Sequence, residues 1–240
     1  MPEIHAVLIA DSRAFNFDKY RSPSVDLPYK SHYIVERGGT TQSLQILTRE
    51  YLQSGIIPKD ANVIVKIAAG INNTTRWIPI NDTFTLGHME KNKVLEGLKQ
   101  RRRTIKGIFP NAIISFITVP PVDLIKYRIH RQVGFQSHTD FNIAAKEQTS
   151  HINFIQELNK TLIDLNRSQA HLTYPPYTSC CQSDVIKCAK NKKRNQTYKR
   201  KNKVKSERLY DGVHGVSQVK KVWFYKWHLS VLKDVQTCFN

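Results

Sequence analysis

Apolar runs of strand length, separated by segments of helical periodicity, constrain this chain more than any other feature. Ile4 to Ala10 (IHAVLIA), Asn62 to Ala69 (NVIVKIAA) and Ala112 to Val119 (AIISFITV) are nearly continuous and rich in Val and Ile. That is the pattern of strands buried on both faces of a parallel sheet. His32 to Val35 and Ala170 to Tyr174 read as two weaker strands, and Pro120-Pro121 ends the strongest. Between the runs, Thr40 or Thr41 reads as the cap of a helix carrying Leu44, Leu47 and Tyr51 and stopping near Gly55. Further helices are expected over 87–105, over 141–165 and, at the end, over 216–235. The order β-α-β-α-β-α-β-α predicts an α/β fold, a three-layer α/β/α sandwich around a mostly parallel sheet. With 240 residues, of which 40% are hydrophobic, one domain over 1–240 can bury a core without disulfides or a metal.

In such a sheet, ligands sit beyond the carboxyl ends of the strands. Ser12 follows the first strand directly, Gly39 precedes the Thr40-Thr41 helix start, Asn72 follows Gly70 after the third strand, and Asp211 and His214 precede the last helix. Each has an ordinary alternative. Ser12 is a residue type that caps a following turn, Asn72-Asn73 and Asp211-Gly212 are turn pairs, and a histidine such as His214 is often structural. The Gly-x-Ser-x-Gly elbow of the α/β-hydrolases is absent from the sequence.

Taken in order, Asp11-Ser12 after strand one, Gly39, Gly70-x-Asn72 and Asp211-x-x-His214 resemble the blocks of the SGNH (GDSL-like) hydrolases, and they span nearly the whole chain. The resemblance implies a serine esterase acting on a small acyl or acetyl ester, with Ser12 as nucleophile, His214 as general base and Asp211 orienting the imidazole. It also implies an oxyanion hole of the Ser12 and Gly39 backbone N–H groups and the Asn72 amide. The pattern departs at three places: Ala10 stands where the family has Gly, Arg13 where it has Leu, and Asn73 where it has Asp. Arg13 puts a cation beside the nucleophile, to face either an anionic substrate or solvent.

The formal net charge of +18 is concentrated: eleven Lys or Arg and a single acid, Glu207, lie between Lys187 and Arg208. This segment has no apolar periodicity and reads as a flexible basic insertion at about 177–208, outside the core. Lys190, Lys192, Lys193, Arg194, Lys199, Arg200, Lys201, Lys203 and Lys205 are its candidate polyanion contacts, toward nucleic acid or an anionic surface. The alternative function is therefore an SGNH-fold protein of weak or no activity that binds a polyanion through this insertion. Esterase domains of this type resemble those of some mobile and viral elements, where a basic region accompanies the hydrolase. Cys180, Cys181, Cys188 and Cys238 lack the paired CxxC spacing of a structural zinc site. They read as reduced thiols, and neither metal nor cofactor is expected. With no apolar run of membrane-spanning length and no basic leader before the first strand, the expected setting is intracellular, without a signal peptide. His130, His138 and Trp77 have no assigned role.

Overall fold

The computed structural model describes residues 3–14, 16–20, 26–80, 83–87, 89–130, 138–169, 182–186, 200–204, 206–209 and 214–239. At 71, 76–80, 83–87, 128, 130, 138–144, 182–186, 200–204 and 206 the description is of the backbone alone.

Four strands, β1 (Ile4–Asp11), β2 (Lys30–Glu36), β3 (Asn62–Ala68) and β6 (Ile113–Phe116), form an all-parallel sheet in the order β2-β1-β3-β6. The chain steps from β1 outward to β2 and then returns past β1 to β3. The order therefore reverses beside β1, the position where open parallel sheets bind ligands. Val7 pairs with His32 on one side of β1 and with Val65 on the other, and Asp11 pairs with Glu36. These registers level the carboxyl ends of the three strands that lead to Ser12, Gly39 and Asn72.

Alternation along each strand divides the core in two. Val7, Ile9, Val63, Val65, Ile67, Ile114 and Phe116 face helices α1 (Ser43–Gln53), α3 (Lys91–Ile108) and α5 (His138–Arg167). Ala6, Leu8, Ala10 and Ile64 face α6 (Ser217–Cys238), whose Val219, Trp223, Trp227 and Val231 are buried there with Phe17 and Tyr29. The result is the expected helix–sheet–helix layering. Lys66 lies on the α6 face of β3, fully buried, where its ammonium donates to the carboxylate of the equally buried Asp234 of α6. The ion pair ties the central strand to the last helix.

Several elements depart from the sequence expectations. The third strong run is strand only over Ile113–Phe116. Ile117 N still donates to Ile67 O at 2.8 Å, and side chains of α5 take backbone groups along the same run. Asn166 accepts from Phe116 N and donates to Phe116 O, both at 2.8 Å, and Asn159 does the same for Val119 at 2.7 and 2.8 Å. The helix expected from Gly87 begins only at Lys91, because Arg76–Ile80 (β4) and Thr83–Gly87 (β5) form an antiparallel hairpin. Pro79 inside β4 argued against a strand there. Two short helices, α2 (Ile71–Thr74) and α4 (Leu124–His130), were too brief to show as periodicity. Within the segment read as a flexible insertion, Gln182–Ile186 (β7) pairs antiparallel with Arg200–Val204 (β8), apart from the central sheet. Charge patterning gives no information for or against a ladder held by backbone hydrogen bonds. The strand expected over 170–174 lies outside the described residues. Among the described residues, no helix is long and apolar enough to cross a membrane.

Candidate active site

β1 ends at Asp11 and the chain turns at once into a 3-10 turn, Ser12–Ala14. The buried Asp11 makes the local turn bond, its Oδ1 accepting from Arg13 N at 3.1 Å. Ser12 is thereby relieved of capping, and its half-buried Oγ lies 2.8 Å from Nε2 of His214, 202 residues away in the chain. A serine hydroxyl donating to Nε2 requires the neutral imidazole with its proton on Nδ1.

His214 reaches this position because the chain before α6 is anchored at two points. Leu209 and Gly215 form an isolated bridge, and Val216 N donates to Arg208 O at 3.1 Å. Leu209 is fully buried among the α6-face core, and its carbonyl accepts from Lys126 Nζ at 2.6 Å. His214 is thus held one residue before the bridged Gly215, where the chain enters α6.

The other two expected residues are also brought together. Gly70 takes a φ of 121°, a conformation that favours glycine, and starts the short helix α2 that carries Asn72 and Asn73. Asn72 Nδ2 donates to Gly39 O at 2.9 Å, joining the loops that follow β3 and β2. Gly39 is required by close approach, since an added Cβ would lie 2.8 Å from a carboxylate oxygen of Glu36 and 3.1 Å from its carbonyl. Its N–H, which the sequence reading assigns to the oxyanion, donates to Glu36 O at 3.2 Å. An oxyanion would have to share that donor. Asn72 keeps a second amide hydrogen for which no acceptor is found among the described residues.

Sequence reasoning missed the bracing behind this loop. Asn73, the departure from the family's Asp, accepts from Thr41 N through Oδ1 at 2.9 Å, a bond a carboxylate would also make. Met89 N in turn donates to Asn73 O at 2.9 Å. The guanidinium of the fully buried Arg101 donates to Thr41 O, while Ser43 Oγ donates to Glu36. Burial draws the Arg101 pKa down to about 10 against the opposing pull of Glu36. Arg101 was visible only as part of a basic helix end, and its inward direction follows from the helix's phase, with Leu98 and Ile105 buried beside it.

An apolar cavity lies beside the Ser12 turn, lined by Arg13, Phe17, Ala68, Ile117, Thr118 and Trp223 among others. Arg13 is 6% exposed and is among the residues that line this cavity, so its cation does not lie in solvent. Asp211 lies outside the described residues, as do Lys190, Lys192, Lys193, Arg194, Lys199 and Lys205. Arg200, Lys201 and Lys203 are described only as backbone of β8.

No family model matches this chain, and no curated protein does. Solved structures do. A carbohydrate esterase family 3 structure from Talaromyces cellulolyticus is 10% identical, over 97% of this chain and 98% of that one, with a TM-score of 0.55. A lipase/acylhydrolase from Enterococcus faecalis is 14% identical, over 96% and 95%, with a TM-score of 0.54. A GDSL-like lipase from Bacteroides thetaiotaomicron is 12% identical, over 97% and 88%, also at 0.54. At such identities the likeness concerns the fold: this chain has the architecture of the SGNH, or GDSL-like, hydrolases over nearly its whole length.

Proposed function

We propose that this chain is a serine ester hydrolase whose nucleophile is Ser12 and whose general base is His214. The observation that carries the reading is the 2.8 Å contact between Ser12 Oγ and His214 Nε2 at the carboxyl edge of the sheet, beside its topological switch point. Solved structures of the same architecture include an esterase, a lipase/acylhydrolase and a GDSL-like lipase, which supports the hydrolase class.

In this mechanism Ser12 Oγ attacks the ester carbonyl carbon as its proton passes to His214 Nε2. The carbonyl oxygen becomes an oxyanion that accepts from Ser12 N–H, from the second amide hydrogen of Asn72, and from Gly39 N–H shared with Glu36 O. Each well-placed donor of this kind is worth about 3 to 4 kcal/mol of barrier. Collapse breaks the bond to the alcohol oxygen, which leaves with the proton from His214. Water then repeats the sequence on the acyl-enzyme, with His214 again taking and returning a proton, and releases the acid. Asp211 is the proposed partner that orients the imidazole and stabilises its charged form. Small apolar residues around the cavity beside Ser12, such as Ala14, Ala68 and Ala69, support a short acyl group such as acetyl.

Hydrolysis of p-nitrophenyl acetate and butyrate by wild type, Ser12→Ala and His214→Ala tests the reading. The expected result is turnover by the wild type that falls by several orders of magnitude in both variants, acetate being preferred to butyrate. Equal turnover in wild type and Ser12→Ala would refute it.

A further inference from the structure

The last helix, α6, carries apolar side chains on two faces. Its inward face holds Val219, Trp223, Trp227, Val231 and Val235 in the core. On the outward face Val222, Tyr225 and Leu229 are 42%, 48% and 61% exposed. Their spacing of three and four residues puts them on one line along a helix of 3.6 residues per turn. At 100° per residue, Lys226 and Lys233 fall on one margin of that line and Lys221 on the other. The helix has four lysines and one acid, and that acid, Asp234, is buried against Lys66. All of its outward charges are therefore positive.

Single exposed apolar residues are normal on a protein surface, but three in one contiguous line between cationic margins make a patch with a direction. We propose that the outward face of α6 docks on an anionic lipid bilayer. Val222, Tyr225 and Leu229 enter the headgroup boundary, and Lys221, Lys226 and Lys233 face lipid phosphates and carboxylates. An apolar line flanked by lysines, with an aromatic among its anchors, is the arrangement of a helix lying in a membrane interface. A bilayer fits the charge better than a second copy of this chain does. A two-fold contact would set the same lysine margins against each other, with no outward acid on the helix to compensate. The net charge of +18 adds a general attraction to the same partner. This docking does not depend on the ester chemistry proposed above.

Co-sedimentation of the full chain with vesicles of phosphatidylcholine alone, and of phosphatidylcholine with phosphatidylserine, reads binding without hydrolysis. The triple variant Val222→Ser, Tyr225→Ser, Leu229→Ser keeps every charge. The variant Lys221→Gln, Lys226→Gln, Lys233→Gln keeps the stripe. The expected results are binding to the phosphatidylserine vesicles that the serine variant weakens at least about tenfold, a loss of roughly 1.4 kcal/mol. The glutamine variant should lose the salt-sensitive share of binding, Ser12→Ala should bind as the wild type does, and circular dichroism should show each variant folded. Binding by the serine variant equal to wild type would overturn the proposal, because the remaining basic residues would then suffice. Absence of vesicle binding, with light scattering showing a dimer that the serine variant dissociates, would overturn it in favour of self-association.

Discussion

Asp11 and Ser12 are both residue types that turn a chain, and at the end of β1 Asp11 takes that role, leaving the Ser12 hydroxyl for His214. A comparable division of hydrogen bonds occurs at the opposite end of the sheet. His5 Nε2 lies 2.9 Å from Glu3, which also pairs with Lys30 at 2.7 Å. His5 Nδ1 lies 2.8 Å from His32 Nε2, and His32 Nδ1 is 2.9 Å from Tyr51 Oη. With both rings neutral the bonds run in one direction: Tyr51 to His32, His32 to His5, and His5 to Glu3. Burial, with repulsion from His5 and Lys30 added, holds the His32 pKa down to about 4, below the ordinary 6.5. The folded state thus prefers neutral His32, so its contribution is fully present above about pH 6.5 and is lost as pH falls toward 4. Melting temperatures from pH 8 to pH 4 should fall more steeply in wild type than in His32→Gln. Parallel curves would show that His32 is not the group responsible.

At the outer edge of the sheet, helix and strand are joined by polar side chains that bind backbone. β6 is the last strand of the described sheet, and its outward N–H and C=O groups at Phe116 are taken by Asn166, those of Val119 by Asn159. An amide side chain carries both donor and acceptor and so can stand in for a missing strand. Both residues are buried, and removing either leaves backbone groups unsatisfied at a cost of about 1 to 3 kcal/mol each. Asn166→Ala is expected to lower stability by that order in chemical denaturation and to speed hydrogen exchange at Phe116. Asn166→Asp, which keeps the acceptor and loses the donor, should retain Phe116 N–H protection better than Asn166→Ala does. Unchanged exchange in Asn166→Ala would mean that the edge is satisfied some other way. None of this was legible in sequence, where Asn159 and Asn166 sit in a helical segment as ordinary polar residues. The apolar runs of β1 and β3 were legible because a strand buried on both faces needs nearly every side chain apolar. The β4–β5 hairpin was hidden by Pro79, and the β7–β8 ribbon by its charge.

Across the whole molecule, the sheet order converts residues far apart in sequence into one edge. Ser12, Gly39 and Asn72 leave adjacent strands, and the Leu209–Gly215 bridge before α6 holds His214, 202 residues on, beside Ser12. Their order and their positions at strand ends were readable from the sequence, since a parallel sheet fixes where loops converge. The direction of individual groups was not. The Gly39 N–H turns to Glu36 O, and Asn73 braces Thr41 N, because both depend on local turns that no periodicity encodes. The docking face of α6 was likewise merged with its core face in a single amphipathic reading of 216–235. Covalent labelling distinguishes a nucleophilic Ser12 from one that only bonds to His214. The full chain would be treated with a fluorophosphonate and the adduct located by mass spectrometry. An adduct on Ser12, formed far more slowly in His214→Ala, is the predicted result. A folded chain that takes no label, or takes it on another residue at the same rate in Ser12→Ala, would contradict the account.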